Sequence, residues 1–153
     1  MNKRNLFVAI IAIVVAAVVA FCAYFFINNS KTTDESTQKP TYTNASADNI
    51  TVDTPFPGAV TGKDFSVIGK ARGTWFFEAS FPVELLDRNG KILTTGVAHA
   101  ESDWMTENFV PFRADIHAPI SYIGPATLVL KKDNPSGLPE HDASVSFAIT
   151  VEY

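Results

Sequence analysis

The sequence predicts an all-β domain, an immunoglobulin-like antiparallel β-sandwich of about seven strands, preceded by one N-terminal transmembrane helix. Three observations carry this reading. Leu6 to Ile27 is an unbroken apolar run of 22 residues. Beyond it no stretch sustains a helical period, whereas "SVSFAITVEY" alternates Val145, Phe147, Ile149 and Val151 with small or polar residues, the period of a half-buried strand. Turn signals such as "DRNGK" and "NPSG" punctuate the segments between.

Residues 1–5 read as a cytoplasmic stub and residues 6–27 as the anchor. As a helix the run would be about 33 Å long, against a hydrocarbon core of about 30 Å. Fourteen of its side chains are Leu, Ile, Val or Phe, and at about 0.3–0.6 kcal/mol each they favour insertion by roughly 4–8 kcal/mol. Lys3 and Arg4 precede the run and the next basic residue is Lys31, an asymmetry that puts the N-terminus in the cytoplasm and the rest outside. A cleaved signal peptide would have an apolar core of about 7–15 residues and a small-residue cleavage site. "FCAYFFINN" offers no good Ala-x-Ala, so the anchor is expected to stay uncleaved. Lipidation at Cys22 is the alternative, with the bulky Phe21 against it.

Residues 28–48 read as a flexible linker. Between Asn28 and Asp48 the only apolar side chains are Tyr42, Ala45 and Ala47, too few to offset the entropy of ordering. Residues 49–153 form the domain. No cysteine follows Cys22, so no disulfide can hold it and the core must. Residues 28–153 carry 10 Lys/Arg and 16 Asp/Glu. That acidic balance excludes nucleic acid, which needs a basic footprint, and argues against electrostatic docking on anionic lipid.

The strands expected in the domain are Ile50–Val52, Phe65–Ala71, Trp75–Asp87 with a bend near Pro82, Lys91–Ala98, Phe109–Ile116, Thr127–Lys132 and the terminal alternating segment. A three-residue hairpin loop at Arg88–Gly90 would set Leu85 opposite Leu93, apolar against apolar, and register follows the hydrophobic match. In "ARGTWFFEASFPV" alternation back from Leu85 puts Ala79, Phe77 and Trp75 on the core face. Trp75 is then the buried tryptophan of such a sandwich. Phe76 and Glu78 point away, covered by a loop or offered to a partner.

"VIGKARGTWFFEASFPVELLD", "SDWMTENFVPF" and "KDNPSGLPE", with the Pro55, Pro57 and Gly58 lead-in, resemble the signature segments of the immunoglobulin-like domain family of bacterial spore germination. The likeness spans roughly 49–153. It implies a β-sandwich on the outside of a bacterial cell, and it carries over no catalytic residue.

The residues themselves offer little chemistry. The outer domain has no cysteine and no Gly-x-Ser-x-Gly elbow, and His99, His117 and His141 lie on separate segments without ligand spacing. No cofactor is expected. Calcium is the one metal weighed, because Glu101, Asp103, Glu107, Asp133, Glu140 and Asp142 fall in two loops, although their spacing matches no EF-hand. If successive strands reverse direction, the connections at Arg72–Thr74, about Ala100–Asn108 and Asp133–Ala143 share one end. That end presents Arg72, Trp104, Glu107, Asp133, Asn134 and Glu140 as a candidate binding surface. The opposing account has Arg72 pairing with these acids while Trp104 plugs the core. The chain is therefore expected to be a non-catalytic, membrane-anchored interaction module whose partner is an envelope or surface protein. Binding of a wall polymer or carbohydrate is the alternative, and an enzyme the third and weakest class.

Overall fold

The computed structural model describes Val18, Phe21 and residues 39–153. The stub expected at 1–5, the anchor at 6–27 apart from helical Val18 and Phe21, and the linker from Asn28 to Gln38 lie outside the described residues. Among those described, no helix is long and apolar enough to cross a membrane. The chain divides into two compact units, Met1–Asp34 and Glu35–Tyr153, and every described strand belongs to the second.

Among the described residues nine strands form: β1 (Thr41–Thr43), β2 (Ile50–Thr54), β3 (Val60–Thr61), β4 (Asp64–Arg72), β5 (Ser80–Asp87), β6 (Ile92–Ala100), β7 (Phe109–His117), β8 (Gly124–Lys131) and β9 (Ser144–Val151). Their hydrogen-bonded order is β1-β9-β8-β5-β6-β7-β4-β2, with β3 also on β9. All pairings are antiparallel except β3 with β9.

One core serves the whole sheet. Val67 and Phe112 from β4 and β7 join Phe81, Leu128 and Phe147 from β5, β8 and β9 in a single buried cluster, so the sheet folds over on itself. The fold-over is at β6, which pairs with β5 from His99 back to Ile92 but with β7 only at His99 and Ala100. Gly96 permits the crossing, since a Cβ there would sit 2.5 Å from Ile116 Cδ1. The Phe81 and Phe112 rings meet edge to face across the core at 4.9 Å, a favourable aromatic geometry.

Several expectations are corrected. The linker does not run to Asp48, because Thr41–Thr43 pair with Ser144–Ser146 as β1. Tyr42 makes this happen: its ring packs on the core and its hydroxyl donates to Ile50 O at 3.3 Å. The strand expected from Trp75 onward begins only at Ser80. Gly73–Trp75 is a 3-10 turn, and Phe77 and Ser80 exchange both backbone hydrogen bonds at 3.0 Å around Glu78 and Ala79. Both of those residues have positive φ, 49° and 62°, the geometry of a tight type I′ turn. The turn resets the alternation. Phe76, expected to point away, is buried at 4%, while Phe77, expected inside, is 43% exposed. Trp75 is buried as expected, at 2%.

The β5–β6 hairpin keeps its three-residue loop but not its expected register. Asp87 N–H donates to Lys91 O, and Leu86 faces Ile92, yet Leu85 faces Thr94. Leu93 is the extra residue of a bulge, and it packs against the core from there. The loop is organised by Asp87, whose Oδ1 accepts from the N–H groups of Asn89 at 2.7 Å and Lys91 at 2.9 Å. The Lys91 N–H first, and Asn89 with it, hold the Asp87 carboxyl below the usual carboxylate range. A depressed folded-state value means this stabilisation is present near neutrality and is lost as pH falls through that value. Asp87→Asn should therefore melt lower than the wild type at pH 7, and the difference should shrink on acidification, as thermal unfolding across an acid pH series would read.

Candidate functional site

The site is assembled from backbone outward. At the end of β4, Arg72 N–H donates to Asn49 O at 2.8 Å and Gly73 N–H to Asn108 O at 3.2 Å. On the other side Asp133 N–H donates to Trp75 O at 3.1 Å. The Arg72–Trp75 turn is thus held between the 101–108 loop and the 132–143 loop, so the three segments expected to share an end do meet. Gly73 is the contact point with the first of them. A Cβ there would stand 1.9 Å from Thr106 O and 2.2 Å from Trp104 O.

Arg72 does not pair with acids as the opposing account required. Its Nε donates to Asp48 O at 2.9 Å and its Nη1 to Glu107 O at 3.2 Å. Its guanidinium lies 4.2 Å from the centroid of the Phe109 ring, a cation–π arrangement. Planar guanidinium donors suit this clamping of two carbonyls. A fourth segment, missed from sequence, therefore joins the end: the β1–β2 connection. Asn44 Nδ2 also donates from it to Asp142 O at 2.9 Å.

Trp104 is half-buried and packed against the core, while Glu107 is exposed. Asp133, Asn134 and Glu140 lie on the longer loop, which is braced internally. Asn134 Nδ2 donates to Leu138 O at 2.8 Å and to Asp142 Oδ1 at 2.7 Å, and Ser136 Oγ donates to Asn134 Oδ1 at 2.5 Å. Among the described residues no three His, Cys, Asp or Glu side chains are grouped to hold a metal ion. The six acids weighed for calcium are spread along the two loops instead.

Three clefts surround the longer loop. One of about 480 Å³ lies toward β1 and is lined by Asn44, Lys132, Asp133 and Asp142 among others. A second, about 460 Å³, has Phe77, Lys132, Asn134 and His141 in its walls. The third, about 220 Å³, is lined by Thr74, Trp75, Lys132 and Glu140. Lys132 borders all three, and Trp104 and Glu107 border none of them. The two larger clefts have the size of ordinary ligand sites. Lys132 and Phe77 are the residues that sequence reasoning passed over. Lys132 read as the last residue of a strand, and Phe77 read as core because no glycine or asparagine marked the turn after it.

Among the described residues, strands folded about one core with loops gathered at one end have the architecture of an immunoglobulin-like domain. The immunoglobulin-like domain family of bacterial spore germination matches residues 49–137, and the chain belongs to it. No curated protein and no solved structure matches the chain.

Proposed function

We propose that the chain is a single-pass, membrane-anchored interaction module of the bacterial cell envelope, extracytoplasmic beyond residue 28, that binds another envelope protein through the loop end. The anchor part rests on the apolar run 6–27 with Lys3 and Arg4 ahead of it. One observation carries the binding part: the β1–β2 connection, the turn at residues 74–77 and the 132–143 loop line clefts that share Lys132. Lys132 makes no ion pair among the described residues, so its charge is available to a partner. The module is non-catalytic and works without a cofactor.

Cross-linking of the full chain in its own membrane tests this. Lys132→Ala and Asp133→Ala should each weaken partner capture by about tenfold or more, the scale of an interface hot spot, with the melting temperature little changed. Capture that persists unchanged in both variants would refute the loop-end site. The wall-polymer reading has its own observation, the exposed Phe77 ring beside Asn134 and Ser136 in one cleft. It predicts that purified peptidoglycan retains the full chain and loses it on Phe77→Ala.

A further inference from the structure

The two outer faces of the sheet differ in chemistry. Over β4 and β7 the outward side chains include Asp64, Lys70, Arg113, Asp115 and His117. Over β6, β5, β8 and β9 they are mostly hydroxylic and aliphatic. Register places Thr95, Glu84, Val129, Ser146 and Thr41 in one row across five strands. A neighbouring row is Ile92, Leu86, Thr127 and Ala148. On this face Ile92 is 51% exposed and Val97 48%, and Val60, beside Thr150, is 62%.

Between the strand ends the face carries just two charged side chains, Glu84 and Lys131, and they pair with each other at 2.6 Å. Residues 39–153 carry 14 Asp/Glu and 9 Lys/Arg. Two copies therefore carry like net charge and repel overall, and this face, with a single closed ion pair, adds no net charge to that repulsion. Its charge pattern is also complementary to itself. A two-fold axis between these side chains would set Lys131 of one copy, 45% exposed, toward Glu84 of the other, 15% exposed, and the reverse, as an isologous contact requires.

We infer that the outer face of β6, β5, β8 and β9 is the packing surface for a second copy of this chain. The inference uses other residues than the loop-end reading except Lys131, which also borders the larger cleft. Four strands about 4.8 Å apart and about eight residues long cover roughly 500 Å² per copy. That is the low end for a specific interface, so the dimer is a reversible one.

Sedimentation velocity of the full chain in detergent, with Cys22→Ala to remove disulfide cross-linking, tests the inference by charge swapping. The Cys22→Ala chain should dimerise reversibly. Glu84→Lys alone and Lys131→Glu alone should each weaken self-association at least tenfold, because each gives the face two like charges. An equimolar mixture of the two variants should recover the dimer, which a loss due merely to misfolding would not do. Should either variant fail to melt cooperatively, Val97→Lys on the exposed part of the face is expected to abolish the dimer while leaving the core intact. A chain that stays monomeric without these changes, a mixture of folded variants that does not associate, or a dimer indifferent to Val97→Lys would each overturn the inference, and binding of a different protein to this face would do the same.

Discussion

Trp75→Ala is expected to lower the unfolding free energy by about 3–5 kcal/mol, the usual cost of deleting a buried aromatic side chain. For a domain whose total stability is on the order of 5–15 kcal/mol, that loss is severe, and no cysteine beyond Cys22 offers a disulfide to offset it. The ring stands edge to face against Phe81 at 6.4 Å, and Phe81 in turn contacts Phe76 at 5.2 Å and Phe112 at 4.9 Å. Truncation therefore opens a void at the head of an aromatic chain that crosses the core. The Trp75 Nε1 has no hydrogen-bond partner among the described residues, so Trp75→Phe removes no bond and should lose much less. Denaturant unfolding of the three proteins checks both statements. A midpoint for Trp75→Ala equal to the wild type would show that the ring contributes nothing to the core.

Gly73→Ala is expected to do comparable damage by the opposite route, adding an atom where there is no room. The new Cβ would lie within 2.2 Å of two carbonyl oxygens, those of Thr106 and Trp104, and neither backbone atom can rotate aside as a side-chain tip would. Overpacking typically costs about 1–3 kcal/mol and sometimes more. Here relief requires the 104–106 segment to move away, which also strains the Gly73 N–H bond to Asn108 O. Hydrogen exchange should show faster opening of residues 104–108 in the variant together with a lower melting temperature. Unchanged exchange in that loop would mean that the turn yields instead.

Much of this architecture could be read from the chain because one face of each long strand is buried. Val145, Phe147, Ile149 and Val151 alternate so cleanly that β9 was assigned to the residue at its start, and counting reversals sufficed to bring the Arg72, Trp104 and Asp133 segments to one end. The reading failed where the signal was backbone geometry without its usual residues. Glu78 and Ala79 both adopt positive φ, which costs each roughly 1–2 kcal/mol, and neither residue type advertises it. One unmarked turn was enough to exchange the environments of Phe76 and Phe77. Leu93 misled in the same way, since a bulge shifts register without changing composition. β1 was missed because Thr-Tyr-Thr sits in a polar tract, and only the remote partners of Tyr42 order it. Charge alone offers Arg72 carboxylate partners as one account, while its guanidinium bonds to carbonyls that every residue carries.

Strand β9 has a consequence for how the domain comes into being. It lies between β8 and β1, supplies four of the buried side chains, and pairs Ser144 with Thr43, about a hundred residues earlier in the sequence. Such pairings demand closure of a long loop before any contact rewards it, which slows folding. The family match ends at residue 137, before β9 begins. A polypeptide cut to residues 49–137 would thus retain two signature segments and most of the third, yet lack the strand that covers Leu128 and Leu130 and occupies the edge of β8. It would emerge as a sticky, half-roofed intermediate that recruits strands from its neighbours. The unit that folds is longer at both ends than the unit that is recognised.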